Sequence, residues 1–252
     1  MSTMTKARPI IMSAHSVRAI LAGRKTQTRR IIEPQPYVAQ GVGDDVLWGH
    51  EKLGGYFAEH VFGDCFSKLV ACPYGQAGDI LCAKESWRIA AIDPDFHCIE
   101  VEYLADGTVS DWLEVPDETM FDRWMEQSGH DLAKVGIECD SEGACNWEPS
   151  KSPLRKRHAW FLPLWASRLR LRNAGVRVEK VQEINHEDAL AEGAEGFNWV
   201  SSSPYIIGPH TDDGELPVEE FARTWDELHG KGAWDRNDWV RVITFERTEA
   251  PQ

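Results

Sequence analysis

The sequence predicts an α+β chain, a small mixed β-barrel with peripheral helices and two loop insertions. Three observations point there. Short runs in which apolar and polar residues alternate recur along the chain, most clearly at 168–172 and 176–181. Glycines punctuate the runs, among them Gly75, Gly78, Gly107 and Gly175. Helical spacing is confined to a few short segments. With 252 residues, 42% of them hydrophobic and 27% charged, the chain is long enough to bury a core without disulfide or metal staples. A single domain over 1–252 is expected, with insertions at about 37–73 and 93–155.

The elements follow in order. Ala14, Val17, Ile20 and Leu21 recur at helical spacing, with Ser13 as N-cap and Gly23 as the stop. The helix releases a basic turn, Gly23 to Arg30, and Pro34 and Pro36 then break the chain. Residues 37–75 are Gly-rich and irregular. Gly75–Asp79 is a turn, Ile80–Ala83 a strand leading into Glu85-Ser86-Trp87-Arg88, and Cys98–Leu104 a second strand with Gly107 in the next turn. Residues 111–150 are acidic and without clear period. Arg168–Arg172 alternates strictly, and Gly175 is expected to turn it into a second strand, Val176–Val181, making a hairpin. Asn185 caps a helix from His186 to about Glu192, closed by Gly193. Residues 198–216 form a loop. Pro217 opens a helix through Leu228 that ends at Gly230, and Val240–Phe245 is a closing strand.

Several function classes are excluded by signature. No window holds eighteen consecutive apolar residues, and Met1–Pro9 is polar and basic, so neither a membrane span nor a secretory signal is expected and the cytoplasm follows. The cysteines, Cys65, Cys72, Cys82, Cys98, Cys139 and Cys145, contain no CxxC; thiols are expected, and no metal. There is no phosphate-binding Gly loop, HExxH, GxSxG or dinucleotide fingerprint, so no cofactor is expected.

The charge is uneven. The net charge is -14, but residues 1–34 carry +6 and 151–181 carry +8, against -17 over 35–150 and -11 over 182–252. Two basic segments in an acidic body make a focused anion site if the fold joins them, and two solvated faces if it does not. The acidic remainder repels long duplex DNA, so any nucleic-acid footprint is small or single-stranded. Within the first segment Arg24, Lys25, Arg29 and Arg30, with Thr26 and Thr28 between them, offer charged and hydroxyl donors on one loop. Eleven tryptophans are many for this length. Each is more readily a core anchor, but Trp87 precedes Arg88, Trp160 follows Arg157 and His158, and Trp165 lies ahead of Arg168, and aromatic faces beside arginine stack nucleobases.

The segments RPIIMSAHSVRAILAGRKTQTRR, YGQAGDILCAKESW, FLPLWASRLRLRNAGVRVEKVQEINHEDALAEG and NDWVRVITF resemble the ASCH domain, a branch of the PUA-like superfamily, in the form common in bacteriophage and prophage genomes. The loop Gly-Arg-Lys-Thr-Gln-Thr is similar to that of the ASCH-type N4-acetylcytidine amidohydrolases. The resemblance implies a PUA-like barrel whose cleft, lined by the basic loop, takes RNA or a modified nucleoside. It also implies catalysis by a lysine, a threonine three residues on and a distant glutamate, which fall on Lys25, Thr28 and Glu192. The matching blocks leave out 37–73 and 93–155.

Two functions follow from this. The first is a metal-independent amidohydrolase of an N4-acylated cytosine-like nucleoside. There Thr28 supplies a hydroxyl, Lys25 is a base whose pKa is lowered by burial or by crowding from Arg24 and Arg29, and Glu192 relays a proton or holds the exocyclic nitrogen. The second is a non-catalytic binder of single-stranded RNA or modified nucleic acid, with Arg24, Lys25, Arg29, Arg30 and Arg168 on phosphate; an ASCH-type ribonuclease, with the same basic loop at a scissile phosphate, stands as a further alternative. Trp87 and Trp165 are the candidate stacking rings. Glu85 either reads a base edge or pairs with a nearby arginine. The cleft is expected between 23–30, 79–88 and 165–192, and no oligomeric state is implied.

Overall fold

The computed structural model describes residues 7–33, 35, 47–50, 55–58, 72–137, 147, 151–194 and 216–248. In chain order these form β1 (Ala7–Ile11), α1 (Ala14–Leu21), β2 (Gln27–Ile31), β3 (Leu47–His50), β4 (Gly55–Ala58), β5 (Ile80–Lys84), β6 (Trp87–Asp93) and β7 (Cys98–Tyr103). There follow β8 (Thr108–Val109), β9 (Leu113–Glu114), α2 (Glu118–Val135), β10 (Arg170–Lys180), α3 (His186–Ala191), α4 (Pro217–His229) and β11 (Trp239–Thr248). The mixture of helix and strand is the α+β content expected. A five-stranded sheet runs β1-β5-β10-β11-β2, β3 pairs with β4, and β7 pairs with β6, β8 and β9. No helix among the described residues is long and apolar enough to cross a membrane. The chain divides into two compact units: Met1–Arg8, Ala22–Ile80 and Leu171–Arg247 make the first, Pro9–Leu21, Leu81–Arg170 and Thr248–Gln252 the second.

In the first unit β2 lies antiparallel to β11, with Thr28 opposite Ile243, Arg29 opposite Val242 and Ile31 opposite Val240. Val240 and Val242 belong to a core with Val181, Ile184, Ala189, Phe221 and Trp225, against which Ile31 packs. One face of the β2–β11 pair is therefore covered by α3 and α4. The helices begin and end where the sequence marks them. Asn185 accepts the Asp188 N–H at the start of α3, Pro217 stands in the first turn of α4, and Gly193 and Gly230 follow the two ends with positive φ.

In the second unit β6 and β7 form an antiparallel pair with an irregularity between Ile89 and Ala91. Their core includes Trp87, Ile89, Ile99 and Val101, packed with Phe121, Trp124 and Leu132 of α2. Helix α1 forms as its spacing predicts: the Ser13 hydroxyl accepts the Ser16 N–H, and Val17, Ala19 and Ile20 are buried.

Three expectations are corrected. The 111–150 stretch holds the longest helix described, α2, capped by Asp117 and ended by Gly136 in the left-handed conformation. Its buried positions, Phe121, Trp124, Ser128, Asp131 and Leu132, do follow the helical period, but two are polar, so the apolar stripe reads as broken. The 168–181 hairpin is one continuous strand. Gly175 is not among the glycines with positive φ, and Asn173 is held by bonds to Tyr74, Gly78 and Asp79, so the chain runs straight through. The basic turn is short, because the chain enters β2 at Gln27 and buries Gln27, Thr28 and Arg29. The irregular reading of 37–75 and the 198–216 loop fall largely outside the described residues, as do Cys65, Cys139, Cys145 and Trp199.

Candidate functional site

In the first unit Lys25, Arg29 and Glu192, remote in sequence, meet in one buried cluster. Lys25 Nζ donates to Glu192 Oε2 at 2.6 Å and to the Glu192 carbonyl oxygen at 2.6 Å. The Arg29 guanidinium, whose side chain is 0% exposed, donates to Glu192 Oε1 at 3.2 Å, Asp188 Oδ2 at 3.0 Å and Glu179 Oε1 at 2.5 Å. Arg177 closes the network, donating to Glu179 at 2.8 Å, Asp188 at 2.7 Å and Gln27 Oε1 at 3.0 Å, while Gln27 Nε2 donates to Asp188 Oδ1 at 3.1 Å. The backbone fastens the entry to β2 from both sides: Thr26 N–H donates to the Ala191 carbonyl, and Phe245 N–H to the Thr26 carbonyl. The Phe221 ring lies 5.7 Å from the Arg29 guanidinium carbon.

The elements explain the convergence. Gln27 and Arg29 are two apart on a strand and so share a face, as do Arg177 and Glu179 on β10. Asp188 in the first turn of α3 and Glu192 at its C-cap are four apart, one turn above each other. By the same alternation Thr28 lies on the opposite face of β2 from Gln27 and Arg29, beside Ile243. Of the three residues that the resemblance groups, Lys25 and Glu192 touch, and Thr28 is buried on the other side of the strand.

Three cations, Lys25, Arg29 and Arg177, face three carboxylates, Glu179, Asp188 and Glu192, so the cluster is electrically balanced. Burial lowers the Lys25 pKa; Glu192 opposes the shift, and Arg30 and Arg29 add to it. Arg24, expected to crowd Lys25, is exposed and donates to the Gly193 carbonyl at 3.3 Å. For Asp188 burial acts upward, but the Gln27 hydrogen bond and the charges of Arg177 and Arg29 prevail and hold its pKa below the ordinary value. Arg30, half-buried, alternates onto the Thr28 face.

The remaining candidates lie in the second unit. Glu85 is 1% exposed and held by both arms of Arg168, at 2.8 and 3.0 Å, so it pairs with an arginine rather than presenting a free edge to a base. Arg168 also reaches Asp106 at 2.9 Å and stacks 4.3 Å from the Tyr103 ring centroid. Burial raises the Glu85 pKa against the pull of Arg168, and pushes the Tyr103 phenol up to about 12; its hydroxyl donates to the Ala166 carbonyl. Trp87 is 0% exposed, edge-on to Trp124 at 5.5 Å and beneath Arg157, which leaves no face for a base. Trp165 is half-buried against Trp124.

Gln27, Arg177, Glu179 and Asp188 were not singled out in the sequence. Their signal is spacing alone: opposite charges two apart on a strand, carboxylates four apart on a helix. Among the described residues no group of three or more His, Cys, Asp or Glu is placed to hold a metal ion. No family model matches this chain, and no curated protein or solved structure matches it either.

Proposed function

We propose that the protein is an ASCH-type, PUA-like barrel that recognises a nucleoside and hydrolyses an N4-acylated cytosine-like base, with Lys25 and Glu192 as its reactive pair. The observation that carries this reading is the 2.6 Å contact between Lys25 Nζ and Glu192 Oε2 in a buried site where the lysine pKa is lowered. Burial favours the neutral amine of Lys25, and a carboxylate in contact gives the proton a second seat. Water is the nucleophile here, because Thr28 lies on the opposite face of β2 from Arg29. Lys25 takes a proton from water as its oxygen adds to the acyl carbon. The carbon–N4 bond then breaks, and the proton passes through the Lys25–Glu192 pair to the leaving amine, giving a free carboxylic acid and a 4-amino base.

The pairing within the cluster argues against phosphate gripping at this site. Lys25 and Arg29 are already committed to carboxylates, so neither has spare charge for a phosphate. The experiment is incubation of the protein with N4-acetylcytidine and a panel of acylated nucleosides, with products read by liquid chromatography. Turnover that is lost in Lys25→Ala and Glu192→Gln, both folded by thermal melt, and retained in Thr28→Ala is the expected result. No turnover on any nucleoside, or undiminished turnover in Lys25→Ala, overturns the reading.

A further inference from the structure

We propose that the Trp160–Phe161 turn of the second unit is a stacking platform for single-stranded nucleic acid, independent of the Lys25–Glu192 pair. The turn is a single 3-10 turn, Ala159–Phe161. His158 caps it, its Nδ1 accepting the Trp160 N–H at 3.2 Å and its carbonyl accepting the Phe161 N–H at 3.0 Å. Ala159 and Leu162 anchor it from beneath, at 3% and 0% exposed. The bracing fixes two consecutive rings outward: Trp160 is 65% exposed and Phe161 68%. Burying such rings is among the largest apolar gains open to a folding chain, so two held in solvent on a fixed turn mark a surface that something else covers.

The surrounding charge selects the occupant. In a chain of net charge -14, the stretch from Lys151 to Arg168 that holds the turn carries five Lys and Arg and no Asp or Glu, and of the five Arg155 and Arg168 are paired with Asp131 and Glu85. Lys84 donates to the Trp160 carbonyl and stands with its ammonium 5.7 Å from that ring's centroid. Lys156 and His158 are exposed on the same stretch. Two exposed rings with the Lys84 ammonium beside one of them match a ligand that alternates flat bases with phosphates, and the bases must be unpaired for their faces to be reached. A duplex offers phosphates without free base faces, and an acidic peptide offers charge without rings.

The test uses the full chain and labelled oligonucleotides of about twelve nucleotides, as RNA, as DNA and as duplex, read by fluorescence anisotropy. Single strands bind in preference to duplex, with the better of RNA and DNA naming the ligand. Trp160→Ala and Phe161→Ala each weaken binding about ten-fold or more, and Trp160→Phe restores most of the loss. Lys84→Gln weakens it and flattens the salt dependence. Both rings are exposed, so the variants keep the wild-type melting temperature. Absence of single-strand binding, binding indifferent to both rings, or equal binding of duplex overturns the proposal. So does a Trp160→Ala change that dissolves a dimer while leaving the strand affinity intact, which would make a second copy the occupant. Hydrolysis of free acetylcytidine is measured separately, so failure of either reading is distinguishable from failure of the other.

Discussion

Removing the Arg29 guanidinium tests whether the buried cluster is held by one-to-one pairing of charge. Its side chain is 0% exposed and touches three carboxylates, at 2.5, 3.0 and 3.2 Å. Arg29→Met keeps the apolar stem beside Phe221 but leaves three carboxylates facing Lys25 and Arg177. One buried negative charge is then uncompensated, and breaking a buried pair in this way costs about 3–5 kcal/mol. At about 2–4 °C per kcal/mol for a chain of this size, the melting temperature falls by roughly 6–20 °C. The urea midpoint followed by circular dichroism falls with it. The sharper readout is the double variant Arg29→Met with Asp188→Asn. It restores balance, leaving Lys25 with Glu192 and Arg177 with Glu179, and is expected to recover about 1–2 kcal/mol relative to Arg29→Met alone. Wild-type stability in Arg29→Met, or strict additivity of the two substitutions, would refute pairing as what holds the cluster.

Two further outcomes follow from particular side chains. Lys25 has a folded pKa below 10.5, so between that lowered value and 10.5 the unfolded chain binds more protons and stability rises with pH; Lys25→Met removes this rise, and urea midpoints of the two proteins that run parallel through that range would count against a shifted lysine. Trp124→Ala empties a ring packed edge-on to Trp87 in the core of the second unit, and costs about 3–5 kcal/mol by chemical denaturation, whereas a loss under 1 kcal/mol would mean that α2 is not part of that core.

Local chemistry was legible in the chain. Ser13 and Asn185 as N-caps, Pro217 in a first turn and Gly23, Gly193 and Gly230 at helix ends are each decided by backbone groups within a few residues, and α1, α3 and α4 stand where those residues put them. The strands at 98–103 and 239–248 were legible for the same reason, as alternation is a local pattern. Helix α2 was not, because a buried face that includes Asp131 is recognisable only once Arg155 is there to pair with it. Gly175 looked like a turn, and the bonds from Asn173 to the 74–79 segment keep the strand straight.

The candidate site divides along the same line. Residue type and the short basic run drew attention to Lys25, Arg29 and, through resemblance, Glu192. That Lys25 touches Glu192 and that Arg29 is spent on three carboxylates depend on bringing residues 150 to 167 positions apart together, from β2, β10 and α3. Burial then turned a run that reads as a solvated basic loop into a neutral cluster, since charges removed from water persist only where opposite charges meet them. Composition and local pattern decide which groups a chain carries and where its helices begin; which of those groups are neutralised, shifted or left facing solvent is settled by neighbours that only the folded chain supplies.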